Sequence, residues 1–321
     1  MRDIKLIEVR SEIAAGTRGA SLGIGAMKVA SLDMQSDFFG IHSTTSVADE
    51  NDLLFTNDEF VTAKHIDGVL TMVQRVSDTT QEVINEGYLP FVLAGDHSTA
   101  AGTLIGIKQA YPNKRIGAIW IDAHADLHTP FTTPSGNMHG MPLAIVSGID
   151  NAECKVNQPK EKTLKYWEEI KRVGTDAPKV DLADVVFVAV RDTEHPEKHL
   201  MDTHGIKNFT TEEVWRMGAE QVARQALEHL SHCDLIYVSF DVDSLDPRIS
   251  SGTGTPVVNG LSVEEARLLN TTLVQDERLV GWEIVEVNPT LDTNNIMARN
   301  AFDILEASAK AYKARKTQPT P

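Results

Sequence analysis

Short, nearly continuous apolar runs recur along the chain: "IKLIEV" from Ile4, "PFVLAG" from Pro90, "RIGAIWID" from Arg115, "DVVFVAVRD" from Asp184, "LIYVSFDVD" from Leu235 and "GWEIVEVNP" from Gly281. Continuous rather than alternating hydrophobicity, rich in Val and Ile, predicts strands buried on both faces of a parallel sheet. Segments with helix-like apolar spacing lie between them, at Glu59–Gly87, Thr99–Ala110, Thr211–His229, Ser262–Leu273 and Asn294–Lys313. Strand and helix alternate, which predicts an α/β fold of three layers, α/β/α, around a mainly parallel central sheet. No linker rich in Pro, Gly or Ser and no internal repeat interrupts the pattern, so residues 1–321 are read as a single domain. Two irregular stretches, Asp33–Asn57 and Asn151–Asp181, read as surface excursions, the second carrying a short helix "EKTLKYWEEIKRV".

Composition narrows the partners. With 321 residues, 41% of them hydrophobic, the chain can bury one large core, and its net charge of −16 argues against nucleic acid or an anionic membrane surface as partner. Only two cysteines are present, Cys154 and Cys233, without C-x-x-C spacing, which indicates neither a disulfide framework nor a thiolate metal site. The N-terminus "MRDIKLIEVRSE" has charges where a signal peptide would be apolar, and no run reaches membrane-spanning length. A cytoplasmic protein is expected.

Polar residues gather where each apolar run ends: Asp96 and His97, then Asp122, His124 and Asp126, then Asp192 and Glu194, then Asp241 and Asp243, and finally Glu286. In an open parallel sheet the carboxyl ends of the strands form the ligand-binding rim, so the active site is expected there. If the chain stays extended past "GAIWI", a period of two puts Asp122, His124 and Asp126 on one side of it, and the same holds for Asp241 and Asp243. So many carboxylates in a poorly solvated site repel one another or take up protons, and divalent cations resolve the conflict. Two imidazoles and four carboxylates suffice for two ions, and a ligand set without thiolates favours manganese or a similarly hard ion. His42, His65, His199, His204, His229 and His232 have no such company and read as surface or satisfied histidines. The glycines of "LGIGA" lack both the third glycine and the preceding strand of a dinucleotide loop.

The motifs "GDHS", "DAHADLHTP", "SGNMHGMP", "SFDVDSLDP", "GTGTPVVNGLS" and "EVNP", in this order from about Phe91 to Pro289, resemble the ureohydrolase family, most closely its arginase branch. The resemblance implies two Mn²⁺ ions per subunit, one held by His97, Asp122, Asp126 and Asp241 and the other by His124, Asp122, Asp241 and Asp243. It implies attack of a metal-bridging hydroxide, hydrogen-bonded to Asp126, on the guanidinium carbon of a small guanidino substrate, L-arginine, giving urea and L-ornithine. His139 corresponds to the family's proton shuttle and Glu286 to the carboxylate that pairs with the guanidinium. Ser135 and Asn137 match contacts of the substrate α-carboxylate, and Thr255 in "GTGTP" is grouped with the substrate contacts. The chain departs from the pattern at His128, where arginases usually carry Asn, and at Glu194, where they usually carry Asp near the α-amino group. A homo-oligomer, trimer or hexamer, is implied as well. The alternatives are hydrolysis of agmatine, guanidinobutyrate or formiminoglutamate, and, from another class, an inactive metal-binding assembly subunit. A single-zinc amide deacetylase on a related fold fits less well, because such enzymes do not use a metal pair.

Overall fold

The computed structural model describes residues 2–315. Eight strands, β1 (Ile4–Val9), β2 (Ser43–Val47), β3 (Leu89–Ala94), β4 (Ile116–Ile121), β5 (Val185–Val188), β6 (Lys207–Phe209), β7 (Leu235–Asp241) and β8 (Leu279–Val285), form one sheet. Their order is β2-β1-β3-β8-β7-β4-β5-β6, and every neighbouring pair is parallel. The mainly parallel sheet expected from the pattern is therefore parallel throughout.

Alternate residues of the strands feed two separate cores, which is why the strands read as unbroken apolar runs. In β4, Ala118 and Trp120 join the core under helices Ile66–Asn85, Ala100–Ala110 and Pro142–Ser147, while Ile119 and Ile121 join the one under Gly23–Asp33, Ala219–His229, Val263–Leu273 and Ile296–Ala314.

The structure corrects both excursions. Asp33–Asn57 contains β2, an edge strand paired only with β1, and of its five residues Val47 alone is buried. With one neighbour and a largely wet side, "STTSV" carries too little hydrophobicity to register as a strand. Asn151–Asp181 contains helix Glu161–Lys171, whose Trp167 and Ile170 are fully buried in the first core. The three-residue β6 and helices Gly23–Asp33 and His195–His204 were likewise not foreseen, and Thr211–His229 is divided at Gly218, which has a φ of +87°. The first glycine of "LGIGA" serves packing: a Cβ on Gly23 would lie 2.2 Å from the Val287 carbonyl oxygen.

Helices Ile66–Asn85 and Ala100–Ala110 approach closely through Gly102 and Gly106, one turn apart on the same face. A Cβ on Gly106 would meet the Ser77 carbonyl oxygen at 2.4 Å and Thr80 Cβ at 2.7 Å. In an exposed helix Gly→Ala gains about 0.5–1 kcal/mol. Here the methyl must push two packed helices apart, so Gly106→Ala is expected to destabilise the protein by about 1–3 kcal/mol. Chemical denaturation measures the sign, and a gain in stability would refute the close-packing account.

Candidate metal centre and substrate cavity

The strand order sets β8 and β7 between β3 and β4, with β5 on the far side of β4. Five adjacent carboxyl ends thus supply the site: His97 after β3, Glu286 after β8, Asp241 and Asp243 at β7, the Asp122–Asp126 segment after β4, and Asp192 and Glu194 after β5.

The side chains arrive by turns and not by extension, which corrects the period-of-two expectation. The backbone bends directly after Ile121, and Asp126 adopts a left-handed φ of +52°. Glu286 is also left-handed, at +66°. Such conformations cost on the order of 1–3 kcal/mol each and hold only where the surroundings over-determine them. Backbone bonds fix both: Leu143 N donates to Asp126 O at 3.3 Å and Glu286 N to Gly95 O at 2.9 Å. The carboxylates order the turns themselves, accepting at Asp122 Oδ1 from His124 N at 2.7 Å, at Asp241 Oδ1 from Asp243 N at 2.8 Å and at Asp243 Oδ1 from Ala123 N at 3.1 Å. Asp241 and Asp243 are brought together by the single turn Val242–Ser244.

His97 Nδ1 lies 3.1 Å from Asp122 Oδ2, 3.0 Å from Asp126 Oδ2 and 3.2 Å from Asp241 Oδ2. His124 Nδ1 lies 3.0 Å from Asp243 Oδ2 and 3.5 Å from Asp122 Oδ1. All six side chains predicted as ligands therefore meet in one cluster, in which Asp122, Asp241 and Asp243 are at most 3% exposed. Burial, reinforced by the neighbouring carboxylate charges, pushes Asp241 well above the usual carboxylate range, Asp243 to about 6 and Asp126 upward as well. Burial would disfavour charge on the two imidazoles, yet the surrounding carboxylates drive both upward. A cluster so acidic calls for positive charge. His97 Nδ1 and Asp126 Oδ2 are buried without a hydrogen-bond partner, and the donors are imidazole and carboxylate only. Both observations fit divalent cations. Trp120 fixes the floor: its ring stacks on His97 at 4.2 Å, and its Nε1 donates to Asp122 Oδ2 at 2.9 Å.

Above the cluster opens a cavity of about 280 Å³. His139 lines it and bonds through Nδ1 to Glu286 Oε1 at 3.0 Å. Burial alone would lower the His139 pKa, but this bond and the Glu286 charge outweigh it and bring the value to about 8. Glu286, expected on the substrate wall, lies behind His139 and is only 2% exposed, because its Oε1 also accepts from His97 N at 3.1 Å. Thr255 lines the cavity and donates to Asp243 Oδ2 at 3.1 Å, so it supports a candidate ligand.

At the mouth, both ring nitrogens of His128, the departure from the arginase pattern, are engaged: Nδ1 meets Thr132 Oγ1 at 3.2 Å, and Nε2 meets Glu194 Oε2 at 2.9 Å and Glu197 Oε2 at 3.5 Å. Glu197 was missed in the sequence, although "EHPE" carries the signal: Glu194 and Glu197 form a capping box at the start of helix His195–His204. Burial and the adjacent Glu194 push Glu197 well above the usual carboxylate range. Ser135 and Asn137 line the same mouth, and Lys64 Nζ donates to Asn137 Oδ1 at 3.0 Å, leaving the amide Nδ2 as the free donor. Lys64 had no sequence signal, and neither had Arg191, whose guanidinium donates to the carbonyls of Ala189, Asp243, Val257 and Val258 and thereby ties the 252–258 loop to the rim.

The sequence profile of the arginase family matches residues 2–309. The chain belongs to the arginase family. Bacillus subtilis arginase is 34% identical to it over 311 residues, covering 95% of this chain and 97% of that protein. Among solved arginase-family structures, Bacillus cereus arginase superposes with a TM-score of 0.80 at 31% identity, covering 96% of this chain and 98% of that one. Entamoeba histolytica arginase in complex with L-ornithine superposes with a TM-score of 0.79 at 25% identity, covering 98% of this chain and all of that one.

Because the acidic cluster is held against its own repulsion, Asp241→Asn should leave the ion-free protein at least as stable as the wild type. It should also remove most of the stabilisation gained from a divalent cation bound at the cluster, which reaches about 4 kcal/mol at a thousandfold excess over Kd. Melting curves with and without Mn²⁺, together with metal analysis, test this. Full occupancy of two ions in the variant would sink the assignment.

Proposed function

We propose that this chain is a manganese-dependent hydrolase that converts L-arginine to L-ornithine and urea. The observation that carries the reading is the convergence of buried His97, Asp122, Asp126, Asp241 and Asp243 and partly exposed His124 on the floor of a cavity whose mouth carries both acidic and donor groups. His97, Asp122, Asp126 and Asp241 would hold one ion, and His124, Asp122, Asp241 and Asp243 the other. Two bound divalent ions make a water molecule acidic enough to attack a guanidinium carbon near neutral pH.

The remaining steps belong to the chain's own side chains. Asp126, with Oδ2 turned into the cluster, accepts a hydrogen bond from the attacking water and orients it. His139, held by Glu286 and ionising near neutral pH, delivers a proton to the departing amine. For Glu286 to pair with the guanidinium, its bond to His139 must open. The free amide donor of Asn137 and the Ser135 hydroxyl suit a substrate α-carboxylate, and Glu194 with Glu197 suits an α-ammonium. This zwitterion-matched mouth favours arginine over agmatine, which lacks the carboxylate, and over guanidinobutyrate, which lacks the ammonium. The intact cluster and His139 speak against an inactive assembly subunit.

We also propose a cytoplasmic homo-oligomer, a trimer or hexamer. Cys154 and Cys233 are free thiols, and among the described residues no helix is long and apolar enough to cross a membrane. Leu22, Val29, Leu32 and Ile41 are exposed apolar side chains available to a subunit contact.

Urea release by manganese-loaded protein is expected with L-arginine and much less with agmatine or guanidinobutyrate; a preference for either of the latter reassigns the substrate. His139→Ala should lower kcat by about 10²–10⁴-fold with manganese content unchanged, as suits a proton-transfer group. Loss of manganese in that variant would make His139 a ligand instead.

A further inference from the structure

None of the residues 150–157 lines the cavity, yet this segment holds both walls of its mouth from behind. One wall carries Ser135 and Asn137, the other Glu194 and Glu197. Asn157 backs the first: its Nδ2 donates to Thr133 O at 2.7 Å and to Pro130 O at 3.3 Å, while the amides of Val156 and Asn157 both donate to Phe131 O, at 2.8 and 2.9 Å. Thr133 in turn accepts at Oγ1 from Ser135 N at 3.3 Å and from Gly136 N at 2.9 Å. The turn that presents Ser135 thus hangs from the residue that Asn157 holds. Asn151 backs the second wall, donating from Nδ2 to Pro196 O at 2.8 Å in the first turn of the helix capped by Glu194 and Glu197. It is 4% exposed, has a left-handed φ of +51°, and its Oδ1 has no hydrogen-bond partner. A glycine would suit that backbone without burying an amide, so the side chain is costly unless the Pro196 bond is of use. Next to Asn151, Asp150 anchors the segment. Its carbonyl accepts from Thr129 Oγ1 at 2.8 Å, and its Oδ1 accepts from Trp167 Nε1 at 2.8 Å and Lys171 Nζ at 2.6 Å.

We propose that residues 150–157 are a brace that fixes the separation of the two walls, with Asn157 and Asn151 as its positioning residues, and that this separation selects substrates bearing an α-carboxylate and an α-ammonium together. Both groups of an α-amino acid sit on one carbon, so they meet both walls at once only if the walls keep one spacing. The chain from 130 to 137 has no helix or strand to hold it. Its carbonyls at 130, 131 and 133 are fixed by donors from 156 and 157, and a wall that loses them is in place for only a fraction of the time. Apparent affinity falls by that same fraction. His128 ties Thr132 to Glu194 within the mouth, and the brace ties the same two walls from outside. Trp167 roots the brace in the first core, which gives helix Glu161–Lys171 a part in shaping the mouth.

The inference rests on the arginine reading above, and three ligands separate the two. L-Arginine reaches both walls, agmatine only the ammonium wall, and guanidinobutyrate only the carboxylate wall. KM for L-arginine, and the inhibition constants of agmatine and guanidinobutyrate against it, are measured on the manganese-loaded full chain. Wild type is expected to hydrolyse arginine and to hold it more tightly than either analogue. No hydrolysis, or tighter binding of an analogue, overturns the arginine reading and this inference together. Asn157→Ala should weaken arginine and guanidinobutyrate about 3–10-fold while sparing agmatine. Asn151→Gly, which suits the left-handed backbone, should weaken arginine and agmatine to a similar degree while sparing guanidinobutyrate. In both variants the loss should fall on KM and not on kcat. If either variant does not fold, Asn157→Asp or Asn151→Asp, equal in size but without the donor, carries the same expectation. Equal weakening of all three ligands, or no weakening of arginine, overturns the brace and leaves the arginine reading standing.

Discussion

Four carboxylates, Asp122, Asp126, Asp241 and Asp243, are gathered in a volume that water barely reaches, and the rest of the structure is arranged around keeping them there. Taking one ion out of water costs several kcal/mol, and adjacent like charges add to this. Backbone amides of Ala123, His124 and Asp243 and the indole of Trp120 meet some of the oxygens, and two imidazoles stand among the others. The remainder of the negative charge is matched only by cations. Folding and ion binding are thus coupled: stability given up in assembling the cluster returns when ions enter it.

The scaffold is stiff where the cluster needs it to be. The four central strands β3, β8, β7 and β4 carry the candidate ligands and Glu286, and both faces of these strands are covered by close-packed helices. The glycine-mediated approach of Ile66–Asn85 to Ala100–Ala110 closes the layer over the same sheet face that holds Trp120. The left-handed backbone at Asp126 and Glu286 is tolerable on such a support. Arg191 brings the 252–258 loop to the rim through four carbonyls, and Thr255 with it.

Floor and mouth of the cavity divide the labour. The floor is acidic and suited to cations, while the mouth is laced by side-chain contacts: His128 with Glu194 and Glu197 on one side, Lys64 with the Asn137 amide oxygen on the other. Because Glu194 is a long, half-exposed side chain, a partner that restrains it reduces the entropy lost in any contact it makes at the mouth. His128, with both ring nitrogens engaged, is that partner.

The sequence by itself determined the α/β class, the parallel sheet and all six candidate metal ligands. Strands buried on two faces must be apolar throughout, so a carboxylate or imidazole at the end of each run stands out, and the rim position follows from parallel topology. It did not determine what depends on one-sided or long-range contacts. β2 was illegible because an edge strand needs little hydrophobicity, and Trp167 was assigned to a surface excursion because its burial is decided by a core distant in sequence. The turns that bring Asp126 and Asp243 inward were hidden because a pattern of residue types does not encode φ and ψ. Glu197, Lys64 and Arg191 acquire their roles from partners up to 73 residues away. Tertiary structure alone decided that Glu286 faces His139 and that His128 faces Glu194, since a side chain's partner is set by which neighbours the fold delivers within hydrogen-bonding distance.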